Sequence, residues 1–207
     1  MSSLTRETLG KLQLERMVFH IAACCLIGFT YLFAQPTRME ALTILIPVTG
    51  IFFLLDVSRL FIPRWRKFCI RHYDVLMRPH EEKNISAVTL NILGVLLAVY
   101  FFPRELAAAA ILFAGIVDPM ARFFGVLWGR VEIGRMKKTV AGVVGGAVAG
   151  LVMAASVATS IGVMFPKLTF GILAIGSVSA SFFELFAGKL DNLLIPLGSA
   201  VTMVFFI

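Results

Sequence analysis

The sequence predicts an all-α, polytopic membrane protein, with residues 1–207 forming one bundle of about seven transmembrane helices. Of the 207 residues, 59% are hydrophobic and only 15% are charged. The mean hydropathy of +0.91 is far above that of soluble globular domains. Apolar runs near the 20 residues needed to cross a bilayer recur along the chain. These observations exclude a soluble enzyme.

Seven apolar runs are the predicted helices. A polar segment precedes the first of them, which is long enough to span, so it is interpreted as a retained helix rather than a signal peptide. The runs are Met17–Ala34, Ala41–Ile62, Ile85–Phe102, Leu106–Trp128, Thr139–Phe165, Leu168–Ala187 and Leu193–Phe206.

The basic residues alternate between the segments that flank these runs. From the N-terminus onward the segments carry 3, 1, 7, 1, 5, 1 and 1 Lys or Arg. By the positive-inside rule, the N-terminal segment 1–16, the interfacial helix and loop 63–84 and the basic loop 129–138 face the cytoplasm. The net charge of +7 therefore reflects topology, and no nucleic-acid partner is expected. A bacterial inner membrane or the endoplasmic reticulum fits this pattern.

The fourth run contains an Asp-Pro pair, Asp118-Pro119. A carboxylate inside an apolar span indicates function, and aspartate followed by proline is typical of a helix start. The pair therefore predicts a broken helix beside a polar pocket that opens to the cytoplasm. Arg122 shares the helical face of Asp118, and simple mutual neutralisation of the two is the alternative.

The basic loop leads into a glycine-rich helix at Thr139. Lys137 and Lys138 lie at the helix N-terminus, where free N–H groups and the helix dipole favour an anion such as a polyphosphate. The glycine spacing is not followed by the Lys-Ser/Thr of a Walker loop. A positive-inside anchor is the alternative for the basic residues, and helix packing through Gly142, Gly146 and Gly150 is favoured for the glycines.

Two further polar segments belong to the same predicted cytoplasmic side. The stretch Pro63–Lys83 predicts an amphipathic interfacial helix followed by a turn, in which Arg78 and His80 lie beside the polar start of the third run. Glu184 lies near the end of the sixth run, and Asp191 and Asn192 lie just before the seventh. With Asp118, the two carboxylates are hard oxygen ligands suited to Mg²⁺ bound together with substrate phosphates, which points to phosphoryl or nucleotidyl transfer.

The chain contains the following short motifs in this order: Asp56-Val-Ser-Arg59, Arg78-Pro-His-Glu81, Asp118-Pro, Gly129-Arg130, Lys137-Lys-Thr139 with Gly142, and Glu184…Asp191-Asn192…Pro196. These motifs, in this order, resemble the dolichol kinase, phytol kinase and CTP-dependent diacylglycerol kinase family, and more distantly the phosphatidate cytidylyltransferases. The similarity covers about Phe52 to Ser199. The chain departs from the family pattern at Val117, Ala141 and Leu190.

The resemblance implies a membrane kinase that phosphorylates the hydroxyl of a lipid alcohol, such as diacylglycerol, a polyprenol or phytol, with CTP and Mg²⁺. Asp118, Glu184 and Asp191 would be the catalytic and metal-binding carboxylates. The predicted nucleotide-binding residues are Arg78, His80, Arg122, Arg130, Lys137, Lys138, Thr139 and Asn192. Membrane lipids and a second copy of the chain are further candidate partners. The alternatives are nucleotidyl transfer to phosphatidate, a transporter, and a catalytically silent lipid- or nucleotide-binding relative.

Overall fold

The computed structural model describes residues 13–73, 84–134, 138–161, 165 and 168–207. Eight α-helices of ten or more residues lie in these ranges, and the last two are joined by a 3-10 turn, Gly188–Leu190. They are α1 Leu14–Phe33, α2 Arg38–Phe61, α3 Pro63–Tyr73, α4 Ala87–Phe101, α5 Arg104–Trp128, α6 Val140–Ile161, α7 Phe170–Ala187 and α8 Asp191–Val204.

The predicted all-α class is confirmed over the described ranges, where the one β-type pairing is an isolated bridge. Five stretches are long and apolar enough to cross a membrane: α1, α2, α5, most of α6, and α7 together with α8. The helix α4 is apolar but has only 15 residues. These stretches are compatible with a multi-pass integral membrane protein, although the predicted number of seven crossings is not confirmed.

Helix α5 forms the centre of the bundle. Its residues from Leu106 to Gly115 are all buried, and it packs against α1, α6, α7 and α8, while α4 joins α2 to α8. Large apolar side chains such as Leu26, Ile44 and Val152 are exposed on the outer helices. An apolar exterior around a packed centre is the arrangement expected where lipid rather than water surrounds the helices.

The predicted break at Asp118-Pro119 is wrong, because α5 continues through both residues to Trp128. Proline removes one backbone hydrogen bond and in a helix interior costs about 3 kcal/mol or more. Here Pro119 itself and Val117 are buried against neighbouring helices. Tertiary packing therefore holds the helix together, and Asp118 lies in mid-helix rather than at an N-cap.

The glycines of α6 serve close helix packing, as the sequence favoured. A Cβ at Gly142 would lie 2.7 Å from the Ala121 carbonyl oxygen, and one at Gly146 would lie 3.0 Å from that of Val117. A Cβ at Gly150 would meet a side chain of α7. The stripe thus lets α6 approach the backbone of α5 directly.

The two ends of the bundle differ in character. At one end, Arg38 donates to the Phe102 carbonyl oxygen at 3.0 Å, and Arg104 donates to that of Gln35 at 2.9 Å. These bonds join the α1–α2 turn to the α4–α5 turn. The start of α1, the end of α5, the loop before α6 and the α7–α8 turn lie together at the opposite end.

A buried ion pair fastens the end of α2 to the start of α4. The Asp56 carboxylate accepts from Arg59 at 2.9 Å, and from the Ser86 and Thr89 hydroxyls at 2.7 and 2.6 Å. Arg59 also donates to the Asn84 carbonyl oxygen at 2.7 Å. The family-like Asp56-Val-Ser-Arg59 motif is therefore a structural connection in this chain. The segment predicted as an interfacial helix is helical, as α3, and its position at the membrane surface stays a prediction.

Candidate functional site

A polar cavity of about 300 Å³ lies between α5, α6 and the α7–α8 turn. It collects side chains from four segments that are far apart in the sequence. Six of the residues predicted from the sequence line it: Asp118, Arg122, Lys138, Thr139, Glu184 and Asp191.

Helix α5 supplies Asp118 and Arg122 from one face, since residues four apart lie one above the other on a helix. Arg122 Nη1 donates to Gln13 Oε1 at 2.9 Å, which connects this wall to the residue preceding α1. The two side chains extend beyond the polar cavity, because they also line a small cavity of about 20 Å³ near α1. This second space, the connecting cavity, has room for about one water molecule.

The loop between α5 and α6 folds back on itself and thereby positions Lys138. Ile133 N–H donates to the Lys138 carbonyl oxygen at 2.7 Å, and Val140 N–H donates to that of Val131 at 3.0 Å. Thr139 Oγ1 accepts from Gly142 N–H at 3.1 Å. Thr139 therefore caps α6, and the start of α6 faces the cavity.

Lys138 Nζ forms a hydrogen-bonded ion pair with Glu184 Oε1 across the cavity. The Glu184 side chain is only 4% exposed, whereas that of Lys138 is 26% exposed. Asp191, the first residue of α8, is also buried. Gly188, whose φ of +58° favours glycine, forms the tight turn that brings Asp191 back beside Glu184. The cavity thus combines three carboxylates with two cations.

The donor set suits a Mg²⁺ ion held in part by substrate. Among the described residues, no group of three or more His, Cys, Asp or Glu side chains is placed to hold a metal ion. Proteins commonly bind Mg²⁺ through one or two carboxylates together with substrate phosphates and water. The carboxylates of this cavity fit that mode, and the three-carboxylate magnesium site stays a prediction.

Two predicted residues lie elsewhere. Arg130 is exposed in the loop after α5 and does not line the polar cavity. Asn192 is buried and faces the connecting cavity instead. Arg78, His80 and Lys137 fall outside the described residues.

The contribution of α1 to the site was not predicted from the sequence. His20, together with Gln13 and Arg16, lines the connecting cavity beside Asp118, and His20 Nε2 lies 3.2 Å from the Ala114 carbonyl oxygen of α5. Because a carbonyl oxygen only accepts, Nε2 carries the proton of this bond. The spacing in the sequence could have indicated a polar face of α1, since Arg16, His20 and Cys24 lie four residues apart on one helical face.

The chain is 28% identical over 195 residues to an uncharacterized protein of Rickettsia prowazekii (strain Madrid E), and the match covers 93% of each chain. No protein-family model matches the chain. No solved structure matches it either. The similarity therefore extends along nearly the whole of both proteins, and it attributes no activity to the cavity.

Proposed function

We propose that the protein is a membrane lipid kinase that transfers the γ-phosphate of a nucleoside triphosphate to the hydroxyl of a lipid alcohol. The observation that carries the proposal is the polar cavity, in which acidic and basic side chains from four distant segments meet. Its residues come from the motifs that resemble the dolichol and diacylglycerol kinases. That resemblance makes CTP the preferred donor in this proposal.

The cavity offers the two things that phosphoryl transfer needs from a protein, positioning and charge neutralisation. Lys138 and Arg122 supply positive charge, and the helix dipole at the capped start of α6 is favourable for phosphate. In the proposed complex Glu184 keeps Lys138 directed into the cavity. Asp191, with Asp118 or Glu184, would hold Mg²⁺, which supplies further neutralisation of the triphosphate when bound.

In this proposal Asp118 acts on the acceptor alcohol. It lines both the polar cavity and the connecting cavity. Its carboxylate would orient the acceptor hydroxyl and take its proton. The alcohol oxygen then forms a bond to the γ-phosphorus, the bond from that phosphorus to the β,γ-bridging oxygen breaks, and the nucleoside diphosphate leaves with the bridging oxygen.

We also propose that all seven apolar segments cross the membrane, including α4 and α8, and that the end of the bundle with the polar cavity faces the cytoplasm. The charge pattern of the loops supports this orientation. A nucleotide would then enter from the cytoplasm, while the lipid arrives within the bilayer.

The test is transfer of label from nucleotide to lipid. Purified protein in liposomes would be incubated with Mg²⁺, a panel of lipid alcohols and CTP or ATP labelled in the γ-phosphate. We expect label in the organic phase. A parallel reaction would contain phosphatidate and CTP labelled in the α-phosphate. If label enters the lipid in that reaction and not from γ-labelled nucleotide, the activity is nucleotidyl transfer. Nucleotide binding with no transfer of either label would establish a silent relative.

A matched pair of variants on α5 tests the role of Asp118. Asp118→Asn should abolish transfer with little change in folding, because the amide keeps the shape of the side chain but cannot accept the hydroxyl proton. Glu105→Gln, in the first turn of the same helix at the other end of the bundle, is the control and should retain activity. Unchanged lipid phosphorylation by Asp118→Asn would refute the assignment.

A further inference from the structure

An apolar cavity of about 130 Å³ lies between α1, α2 and α4, and it shares no lining residue with the polar cavity. It shares Arg16, His20 and Asn192 with the connecting cavity, which Asp118 also lines. The apolar side chains of its wall include Phe19, Ala23, Ile27, Phe52, Val88 and Ile92.

Asn192, which lines this apolar cavity, carries an unsatisfied buried acceptor. The residue is only 3% exposed, and its Nδ2 donates to the Ala87 carbonyl oxygen at 3.1 Å. That bond fixes the orientation of the amide, because a carbonyl oxygen only accepts. Asn192 Oδ1 is buried and has no hydrogen-bond partner among the residues that the structure describes. A buried polar atom without a partner is costly, so it indicates a ligand group.

The ligand that this arrangement fits is an amphiphile with a hydrogen-bond donor at its end. A hydroxyl can donate to Asn192 Oδ1, whereas a carboxylate or a fully ionised phosphate can only accept. The apolar wall suits a hydrocarbon chain, and the polar end lies toward His20 and Asp118.

The hydrocarbon chain of such a ligand has a lateral route out of the protein. Phe19 of α1 and Phe52 of α2 are exposed on the outer surface of the bundle. Both also line a larger, mainly apolar groove of about 430 Å³, together with Leu55 and Trp65. A lipid held by its first carbons in the apolar cavity can therefore extend along this groove into the surrounding bilayer.

We infer that the apolar cavity between α1, α2 and α4 binds the hydroxyl end of a lipid alcohol, with the hydroxyl donating to Asn192 Oδ1 and directed toward Asp118. The choice of this ligand rests on the proposed function. Acceptor and nucleotide thus approach Asp118 through different cavities, the acceptor from the α1 side and the nucleotide from the α6 side. Asn192 and His20 are positioning residues for the acceptor.

Photolabelling of the unaltered protein tests this inference without requiring turnover. The probe is a long-chain alcohol with a diazirine close to the hydroxyl, added to the protein in liposomes, with labelled peptides identified by mass spectrometry. We expect label on the segments of α1, α2 and α4 that line the apolar cavity. Competition by dodecanol should be stronger than competition by its methyl ether, by about 5–30-fold for one lost hydrogen bond.

Two tryptophan variants of α1 provide the matched comparison. Ala23→Trp fills the cavity and should remove the cavity label, whereas Leu26→Trp, at a residue 70% exposed on the same helix, should leave it unchanged. If the protein phosphorylates alcohols, Ala23→Trp should also raise the KM for alcohol at least about tenfold and leave the KM for nucleotide unchanged.

The outcomes separate the two proposals. Cavity label without phosphate transfer would support the alcohol site and remove the kinase proposal. Phosphate transfer with label spread evenly over the lipid-facing helices, and equal competition by alcohol and ether, would overturn the alcohol site and leave the kinase proposal standing.

Discussion

Removing Lys138 from its ion pair with Glu184 should destabilise the protein more than removing Glu184. Lys138→Met leaves a carboxylate with 4% exposure next to Asp118 and Asp191, so it should cost about 3 kcal/mol, near the lower end for breaking a buried pair. Glu184→Leu leaves an ammonium group with 26% exposure that can still reach water. It also relieves repulsion among the carboxylates, so its cost should be nearer about 1 kcal/mol.

The double variant completes a thermodynamic cycle. Replacing both members by apolar side chains leaves neither Lys138 nor Glu184 as an unpaired charge. Such double replacements of buried pairs are often neutral or stabilising. We expect the double variant within about 1 kcal/mol of the wild type, which gives a coupling energy of about 4 kcal/mol. Lys189→Met, at an exposed residue of the α7–α8 turn, is the control and should change stability by less than about 0.5 kcal/mol.

Equilibrium unfolding in mixed micelles, followed by SDS titration, measures these differences. At about 2–4 °C per kcal/mol for a chain of this size, Lys138→Met should also lower Tm by about 6–12 °C. Equal losses in the two single variants, or a double variant whose loss is the sum of theirs, would show that Glu184 does not depend on Lys138. The orientation of Lys138 in the polar cavity would then need another cause.

Two further predictions concern packing and a buried thiol. Gly142→Ala should destabilise the protein by up to about 2 kcal/mol, because overpacking against a carbonyl oxygen 2.7 Å away exceeds the gain in helix propensity. Gly50→Ala, with nothing within 4 Å of its Cβ, should instead stabilise by about 0.5–1 kcal/mol in the same unfolding measurement. Burial raises the pKa of the Cys69 thiol. In a variant that keeps Cys69 as its one cysteine, the rate of alkylation of the native protein should therefore keep increasing above pH 8.5. The SDS-unfolded protein should titrate near its ordinary pKa of about 8.5, and native labelling as fast as unfolded labelling at that pH would contradict the prediction.

The helices could be predicted from the sequence because their signal is local. Apolar runs and their flanking polar residues mark each helix to within a few residues, as with Ile85–Phe102 for α4. The predicted start of the glycine-rich helix at Thr139 was equally local and is confirmed to within one residue. Asp118-Pro119 misled the prediction for the same reason, since the local preference for a helix start gave way to the packing of α5 at the centre of the bundle.

The candidate site was predictable only in part. Charged residues within apolar runs indicated Asp118 and Glu184, because a membrane protein seldom places a charge there without a use. The pairing of Glu184 with Lys138 could not be read from the sequence, since it joins residues 46 positions apart. His20 was missed because its nearest carbonyl lies 94 residues away, on α5. The division into separate polar and apolar cavities depends on how α1 and α4 pack, which no local pattern specifies.

The shortness of α4 has a consequence for the membrane around the protein. At 1.5 Å per residue, its 15 residues span about 22 Å, less than the roughly 30 Å thickness of a bilayer hydrocarbon core. Where α4 crosses the membrane, as proposed, the mismatch favours local thinning of the bilayer, at a free-energy cost that grows with the mismatch. Thinning draws the headgroup layer toward Ala87, whose carbonyl oxygen holds Asn192. A lipid hydroxyl would then need to sink less far to reach the apolar cavity, and bilayers of short-chain lipids should favour its entry.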